Sequence, residues 1–584
     1  MRVLVHIPAR AGSKGLPGKN LSLVGGMSLL AKAVYVGRQF VRRSGLRDAL
    51  LIVDTDSEAL AAEGRRWGAD APFLRPAELA ADVASTVDTA LYTLDRVEST
   101  HGRVDALVLL QPTSPLRTAE DICRCWEAFH PDAQPSVLSV AEWPHPIEFA
   151  LGMDDGGTLR WALGDPPNTS RRQGFPARYA PTGSVYITTP TFLRKYGTFL
   201  VPGLSRGVIM PRARSVDVDT EADLTLTRAL IATPTAEPFV VAGRLIGPGA
   251  PCFLIGEAGV NHNGDVGLAH RLIDAAADAK VDAVKFQTFD PDRVVTRDAP
   301  KAPYQEARSA DNESQYEMLR RLILPRSAHE ELQRHAAERK LLFLSTAFDE
   351  ESADFLDALG VPAFKVPSGE LTNHPFLTRL ARKQKPLFIS TGMSTLEEVA
   401  DAVEVVRANG GTGFALLHCV TTYPASGADS NLRAMATMAS SFGVPVGWSD
   451  HTPGSSISCA AAALGAAVIE KHFTLDRALP GPDHRASLEP SELGDLVESV
   501  RLIESSLGDG IKQPTAGEIE LARVVKRSLR AAADLPAGHA IEEADLTALR
   551  PGGGLSPAHR ARLLGRTLRV PLKKGQIIGE SDVV

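Results

Sequence analysis

With 584 residues, 44% hydrophobic and 23% charged, the chain is long enough for several ordinary globular domains with full cores. A formal net charge of −7 argues against a nucleic-acid partner, which calls for a basic face. Five cysteines with one close pair, Cys123 and Cys125, exclude a disulfide framework and a structural zinc site of the usual spacing, and fit a reducing compartment.

The opening MRVLVHIPAR is too short an apolar run for a signal peptide. The most apolar internal run, Ile457 to Ile469, is too short for a membrane span of about 20 residues, so a cytoplasmic protein off the membrane is expected. Over residues 1–231, RVLVHIP, ALLIVDT and DALVLLQP read as strands and SLLAKAVYVGRQFVRR as a helix. Alternation of that kind predicts a parallel α/β sheet. The first strand runs into IPARAGSKGLPGKN, residues 7–20, a glycine-rich loop carrying Arg10, Lys14 and Lys19. Backbone N–H groups at a strand–helix junction, joined by cations, suit a triphosphate; a solvated basic turn is the plain alternative. The pattern is neither GxxxxGK[ST] nor GxGxxG. QPTSPLR, 111–117, ends another strand, and RRQ adds Arg171 and Arg172. In SVDVDTEADL, Asp217 and Asp219 are two apart, so an extended strand puts both carboxylates on one side, as a Mg²⁺ pair needs; the same residues also suit a helix N-cap region.

Together IPARAGSKGLPGKN, RPAELAADVAST, QPTSPLR, RRQ and SVDVDTEADL resemble the CMP-sialic acid synthetases (acylneuraminate cytidylyltransferases). The resemblance implies a Rossmann-like nucleotidyltransferase sheet and transfer of CMP from CTP to a nine-carbon keto acid. It places Arg10, Lys14 and Lys19 on the phosphates, Arg10 and Lys19 in catalytic roles. Asn20 and Gln111 hold the nucleotide, Arg171 or Arg172 meets the acid, and Asp217 and Asp219 hold Mg²⁺. Thr182-Gly183 stands where the family usually has Asn-Gly, and IEFA follows His145-Pro146 where Tyr-Lys is common. Both departures bear on which sugar is accepted.

Residues 232–250, rich in Pro, Gly and Ala, read as a linker. From 251 to 505 eight strand–helix units follow, with strands CFLIGEA, AVKFQTF, LFLSTAF, AFKVPSG, LFISTG, FALLHCV, VPVGWSD and AVIEKHF. That count predicts a (β/α)₈ TIM barrel, whose chemistry gathers at the C-terminal strand ends. Glu257, Lys285, Ser345, Lys365, Ser390, His418, His451 and His472 stand there. His451 and His472 end adjacent strands and can reach one divalent metal, although a strand-end histidine by itself is more often a structural hydrogen-bonding residue. Residues 506–522 read as a second linker, and 523–584 as a small β-rich domain.

GEAGVNHNG, DAVKFQTF, KVPSGE, LHCVTTYPA, VGWSDHT and EKHFTLDRALPGPDHRASL resemble the sialic acid synthases (N-acetylneuraminate synthases). KRSL, LRPGGGLSP and LLGR resemble their C-terminal antifreeze-like (SAF) domain. The resemblance implies condensation of phosphoenolpyruvate with an N-acylated mannosamine-type sugar. It implies Mn²⁺ on His451 and His472, Glu257 as acid/base, and Lys285 as a catalytic cation. Lys365, Ser368, Ser390 and Ser449 bind phosphoenolpyruvate with it, while Tyr423 and Asp483 face the sugar. It also implies a homodimer with domain-swapped SAF domains, Arg550 reaching the partner barrel. Trp448 replaces a common Tyr and Ala347 a frequent Pro. The expectation is a bifunctional enzyme that makes a nonulosonic acid and activates it with CMP. Three alternatives stay open: a 2,4-diacetamido-2,4,6-trideoxy sugar leading to legionaminic or pseudaminic acid, the octulosonate pathway, and a scaffold with one inactive half.

Overall fold

A computed structural model describes residues 1–12, 15–81, 84–163, 175–232, 236–301, 313–411 and 413–584. The chain divides into two units, Met1–Ser505 and Ser506–Val584. Among the described residues no helix is long and apolar enough to cross a membrane.

The first unit opens on a six-stranded sheet of β1 (Val3–Pro8), β2 (Ala49–Asp54), β3 (Ala106–Leu109), β4 (Ser136–Glu142), β5 (Tyr179–Thr188) and β6 (Ser205–Ile209), in the order β6-β4-β5-β3-β1-β2. β1 lies parallel to both neighbours, which puts its C-terminal loop in the crevice where open α/β sheets bind ligands. The sheet is not wholly parallel as the sequence predicted: β5 runs antiparallel to β3 and β4. A β4–β5 connection needs no crossover helix in that arrangement, so nothing in the strand–helix alternation marks the reversal. Helix α1 (Leu29–Arg43) starts on Ser28, whose hydroxyl accepts from the Ala31 amide. Its apolar residues Leu30, Ala33 and Val34 are buried in the core. Helices α2 (Glu58–Arg66) and α3 (Glu221–Ala232) belong to the same region.

The stretch 232–250 is not a bare linker. It holds a hairpin, Phe239–Val241 with Arg244–Ile246. Phe239, Val241 and Ile246 pack with Phe253, Ala283, Phe388 and Val468 at the starting ends of the barrel strands. Each such side chain contributes about 1.5–3 kcal/mol, which closes that end of the barrel and leaves the opposite mouth for chemistry.

All eight expected barrel strands form: β7 (Phe253–Gly259), β8 (Ala283–Thr288), β9 (Leu342–Ala347), β10 (Phe364–Val366), β11 (Leu387–Ser390), β12 (Phe414–Cys419), β13 (Val446–Asp450) and β14 (Val468–His472). They close into one parallel barrel. Register pairs Glu257 with Lys285 on one side and with His472 on the other. Helices α4 (Leu396–Ala408) and α5 (Arg433–Phe442) lie on its outer layer.

The second unit has a helix, Ala516–Val525, and the antiparallel strands β15 (Ser528–Ala531) and β16 (Leu546–Leu549). The helix spans the expected boundary at residue 522, so that boundary falls within an element. Leu529, Leu535, Ile541, Leu563 and Ile578 form the unit's own core. Arg550 follows β16 and is exposed.

Candidate active sites

The loop after β1 closes on the segment that carries Asp217 and Asp219. Lys19 Nζ donates to Asp219 Oδ1 at 2.9 Å. A Cβ on Gly15 would stand 2.6 Å from the Asp219 carbonyl oxygen, so only glycine admits this approach. Asn20 is buried, and its amide donates to the Arg10 carbonyl at 2.9 Å, bracing the loop from within. Gln111 and Asp217 converge on Gly183: a Cβ there would meet Gln111 Oε1 at 3.2 Å and Asp217 Oδ2 at 3.9 Å.

Residues 217 and 219 do not lie in a strand, contrary to the extended-strand expectation. Their segment is tied to the sheet through the Val218 amide, which donates to the Thr113 carbonyl at 2.8 Å. The Asp217 carboxyl is raised above the usual carboxylate range, first because protein partly encloses it, then because Asp219 is close; Lys19 opposes the shift. Two neighbouring carboxylates facing a lysine suit a hard cation next to a polyphosphate. Ser114, in the same QPTSPLR motif, has a buried hydroxyl with no hydrogen-bond partner among the described residues. Lys14, Arg171 and Arg172 lie outside the described residues.

The second site fills the open mouth of the barrel. A cavity of about 280 Å³ is lined by Glu257, Lys285, Lys365, Ser368, Ser390, Tyr423, Ser449, His451, His472 and Asp483, ten of the twelve barrel residues that the sequence pointed to. Ser345 and His418, polar strand residues as well, are engaged elsewhere: Ser345 Oγ is 2.7 Å from Thr288 Oγ1, and His418 Nε2 is 2.9 Å from the Ser430 carbonyl.

Charge in this cavity is dense and buried. Lys285 Nζ lies 2.5 Å from Glu257 Oε2 and donates to Thr346 Oγ1 at 2.7 Å. Lys365 Nζ donates to Ser390 Oγ at 2.8 Å. Between the lysines stands Glu470, 3.6 Å from Lys285 and 3.5 Å from Lys365, accepting from Ser449 Oγ at 2.9 Å. The two carboxylates are pushed apart. Burial, reinforced by Glu470, raises Glu257, whereas two lysines and Ser449 overcome the same burial and hold Glu470 low. Divergence of this kind separates a proton carrier from a fixed anion.

Sequence reasoning missed Glu470, Gln287 and Cys419. Glu470 carried a signal: two residues before His472 in β14, it must share that side of the strand. Lys471, on the other side, pairs with Asp450 at 3.0 Å and donates to the Thr452 carbonyl, which fixes the segment presenting Ser449 and His451.

The His451 and His472 rings are 5.4 Å apart between centroids, and the Tyr423 ring lies tilted against His451 at 4.0 Å. His451 Nδ1 donates to the Val420 carbonyl at 2.8 Å, which leaves Nε2 a lone pair. His472 Nδ1 is buried without a hydrogen-bond partner among the described residues, 3.9 Å from Asp483 Oδ2. Burial holds the His472 imidazole well below its ordinary range, so it is neutral. Burial lowers His451 too, but Cys419 and the Val420 carbonyl outweigh it and raise that imidazole above its ordinary range, so a metal there displaces a proton. Two imidazoles so placed fit a divalent metal whose remaining positions are filled by substrate or water. Among the described residues no group of three or more His, Cys, Asp or Glu side chains forms a complete metal shell.

Family models match the chain in three places: a cytidylyltransferase over residues 4–128, the NeuB family over 272–512 and a SAF domain over 526–584. Among curated proteins, the N,N'-diacetyllegionaminic acid synthase of Legionella pneumophila is 46% identical over 333 residues, 56% of this chain and 94% of that protein. The pseudaminic acid synthase of Campylobacter jejuni is 33% identical over 330 residues, 56% of this chain and 96% of that protein. A crystal structure of N-acetylneuraminic acid synthetase from Leptospira borgpetersenii with citrate is 34% identical, covers 49% of this chain and 95% of that one, and aligns with a TM-score of 0.44.

Proposed function

Since the chain belongs to the NeuB family, with a cytidylyltransferase domain before the barrel and a SAF domain after it, we propose that it is a bifunctional enzyme making a CMP-activated nonulosonic acid. In this reading the barrel condenses phosphoenolpyruvate with a 2-acetamido sugar. C3 of phosphoenolpyruvate adds to the sugar aldehyde, water adds at C2, and phosphate leaves. The N-terminal domain then moves CMP from CTP to the new acid, with loss of pyrophosphate.

One observation carries the barrel half: two buried lysines, held by Glu470, share a cavity with Glu257 and two open imidazoles. Lys285 and Lys365 supply the positive field for a trianionic substrate, and Ser368, Ser390 and Ser449 offer hydroxyls to its oxygens. Glu257, raised by burial, holds or releases a proton beside the reacting carbons. His451 and His472 hold Mn²⁺, which polarises the sugar aldehyde when bound. Tyr423 and Asp483 shape the sugar end. In the N-terminal half Arg10, Lys14 and Lys19 neutralise CTP, Asn20 and Gln111 hold it, Arg171 or Arg172 meets the acid, and Asp217 and Asp219 hold Mg²⁺. Arg550 acts on the N-acyl group in the barrel of a second copy, in a homodimer with exchanged SAF domains.

For the sugar, 46% identity to a named N,N'-diacetyllegionaminic acid synthase favours a 2,4-diacetamido-2,4,6-trideoxyhexose over N-acetylmannosamine. Phosphate release from phosphoenolpyruvate, measured with each sugar, tests this. Turnover of the diacetamido sugar alone supports the reading, and turnover of N-acetylmannosamine alone reverses the choice. Turnover of arabinose 5-phosphate alone moves the chain to octulosonate chemistry.

A further inference from the structure

The surface that joins the N-terminal sheet to the barrel has no place in either reaction above, yet it is built around a buried carboxylate. Glu397, Asp401 and Glu404 recur along one face of α4. On the outside of a barrel such a row normally faces water. Here each meets a partner from the N-terminal region. Arg66 Nε is 2.6 Å from Glu397, Arg38 donates to Asp401 at 2.5 Å, and Glu404 accepts from Gln39 at 2.5 Å and from the Tyr35 hydroxyl at 3.1 Å. Glu404, Tyr35 and Gln39 are each no more than 8% exposed. Tyr35 also meets Phe442 of α5 edge-on at 6.3 Å.

Next to this face a tight hairpin, Leu23–Val24 with Met27–Ser28, leaves the phosphate loop only three residues after Asn20. Its turn residues Gly25 and Gly26 both have positive φ. A Cβ on Gly26 would stand 2.1 Å from the Thr437 methyl of α5, so the turn backbone lies directly against the barrel helix. Ser441 Oγ donates to the Gly25 carbonyl. The other wall of the nucleotide site arrives at the same place. Helix α3 starts two residues after Asp219, its Arg228 Nε donates to the Leu23 carbonyl at 3.1 Å, and a Cβ on Gly25 would stand 2.8 Å from its Ile231.

We infer that the α4–α5 face of the barrel is the buttress of the nucleotide site: it holds the hairpin and α3, and through them sets the phosphate loop against Asp217 and Asp219. The inference rests on the transferase reading of the N-terminal half. Cytidylyl transfer therefore depends on barrel residues that touch no substrate, whereas condensation in the barrel does not depend on docking. Asp401, Glu404 and Thr437 are positioning residues for a reaction in another domain.

The full-length Asp401→Arg variant places like charges at the Arg38 contact. Hydrogen exchange at α1 and α4 reports docking, CMP adduct formation from CTP and supplied nonulosonic acid reports transfer, and phosphoenolpyruvate consumption reports the barrel. The expected result is faster exchange and a fall in transferase kcat/KM for CTP of about 10- to 100-fold, the scale of a misplaced site, with condensation unchanged. Arg38→Asp added to Asp401→Arg then restores both exchange and transfer. Wild-type transfer in a variant with faster exchange overturns the buttress. So does lost transfer with unchanged exchange. If Asp401→Arg combined with the wedge Thr437→Trp changes neither, this face does not hold the domains and the inference falls. A wild-type chain that forms no CMP adduct refutes the transferase reading itself, a result distinct from all of these.

Discussion

Lys285 and Glu257 make a salt bridge of 2.5 Å in which the side chains are only 3% and 2% exposed. A pair so deep in a concave site is weak evidence of stabilisation, because desolvation offsets much of the attraction. It is better evidence of chemistry, since burial raises the carboxyl while the lysine keeps it from being lost to neutrality.

Glu257→Gln keeps the shape and the Gln287 contact at 3.0 Å but removes the titrating oxygen. The expected result is a loss in kcat for condensation of about 10²- to 10⁴-fold, with CMP transfer unaffected. Steady-state phosphate release measures the first and pyrophosphate release the second. In the wild type, the raised Glu257 carboxyl keeps its proton to higher pH than a free glutamate. A step that needs this proton weakens as pH rises through the raised value, and the variant loses that limb of the profile.

Glu470→Gln leaves Lys285 and Lys365 facing each other without their shared anion. Breaking a buried ion pair from one side typically costs about 3–5 kcal/mol, so thermal stability of the first unit falls. Inorganic phosphate can take the place of the lost charge. Scanning fluorimetry is expected to show phosphate raising the melting temperature of the variant by more than that of the wild type.

Asp219→Ala removes the acceptor of Lys19, 2.9 Å away, and one of two expected Mg²⁺ ligands. CMP transfer is expected to fall at least about 100-fold, the usual scale for a lost electrostatic contact to a reacting phosphate, while condensation continues. Equal loss of both activities would show that the residue acts through folding.

Lys32, buried in α1, is lowered from its ordinary 10.5 to about 8 by burial. Its charged form is disfavoured in the folded chain, so the penalty is full below about 8 and fades as pH rises from there toward 10.5. Lys32→Met is therefore expected to stabilise the first unit by about 1–3 kcal/mol at pH 7, an advantage that shrinks across that window. Thermal melts of both chains at pH 7 and pH 10 measure the difference.

Much of this was legible in the sequence because strands have period two and barrels do their chemistry at one end. The eight strand runs and the ten cavity residues came from that rule and from motif resemblance. Glu470 is readable by the same rule, since it stands two residues before His472 in one strand. The reversal of β5 was not legible, because an apolar strand carries no mark of its direction. Asp217 and Asp219 read as a strand pair, yet they lie outside any strand, in a segment tied down by the Val218 amide and by the Lys19 contact to Asp219. The 232–250 hairpin hid in a composition that looks like a linker, its three buried side chains spread among Pro and Gly. Nothing in the sequence marks the partners of the acidic row on α4, because only the other domain turns it into an interface.

The central claim, that one chain both builds and activates a nonulosonic acid, is tested most directly by a one-pot reaction read by mass spectrometry. Purified protein receives phosphoenolpyruvate, CTP, Mg²⁺ and Mn²⁺ with the 2,4-diacetamido-2,4,6-trideoxy sugar or with N-acetylmannosamine. The account predicts a CMP-nonulosonate mass that needs both phosphoenolpyruvate and CTP and disappears with EDTA. Free nonulosonate that never gains CMP, or no product from either sugar, would contradict it.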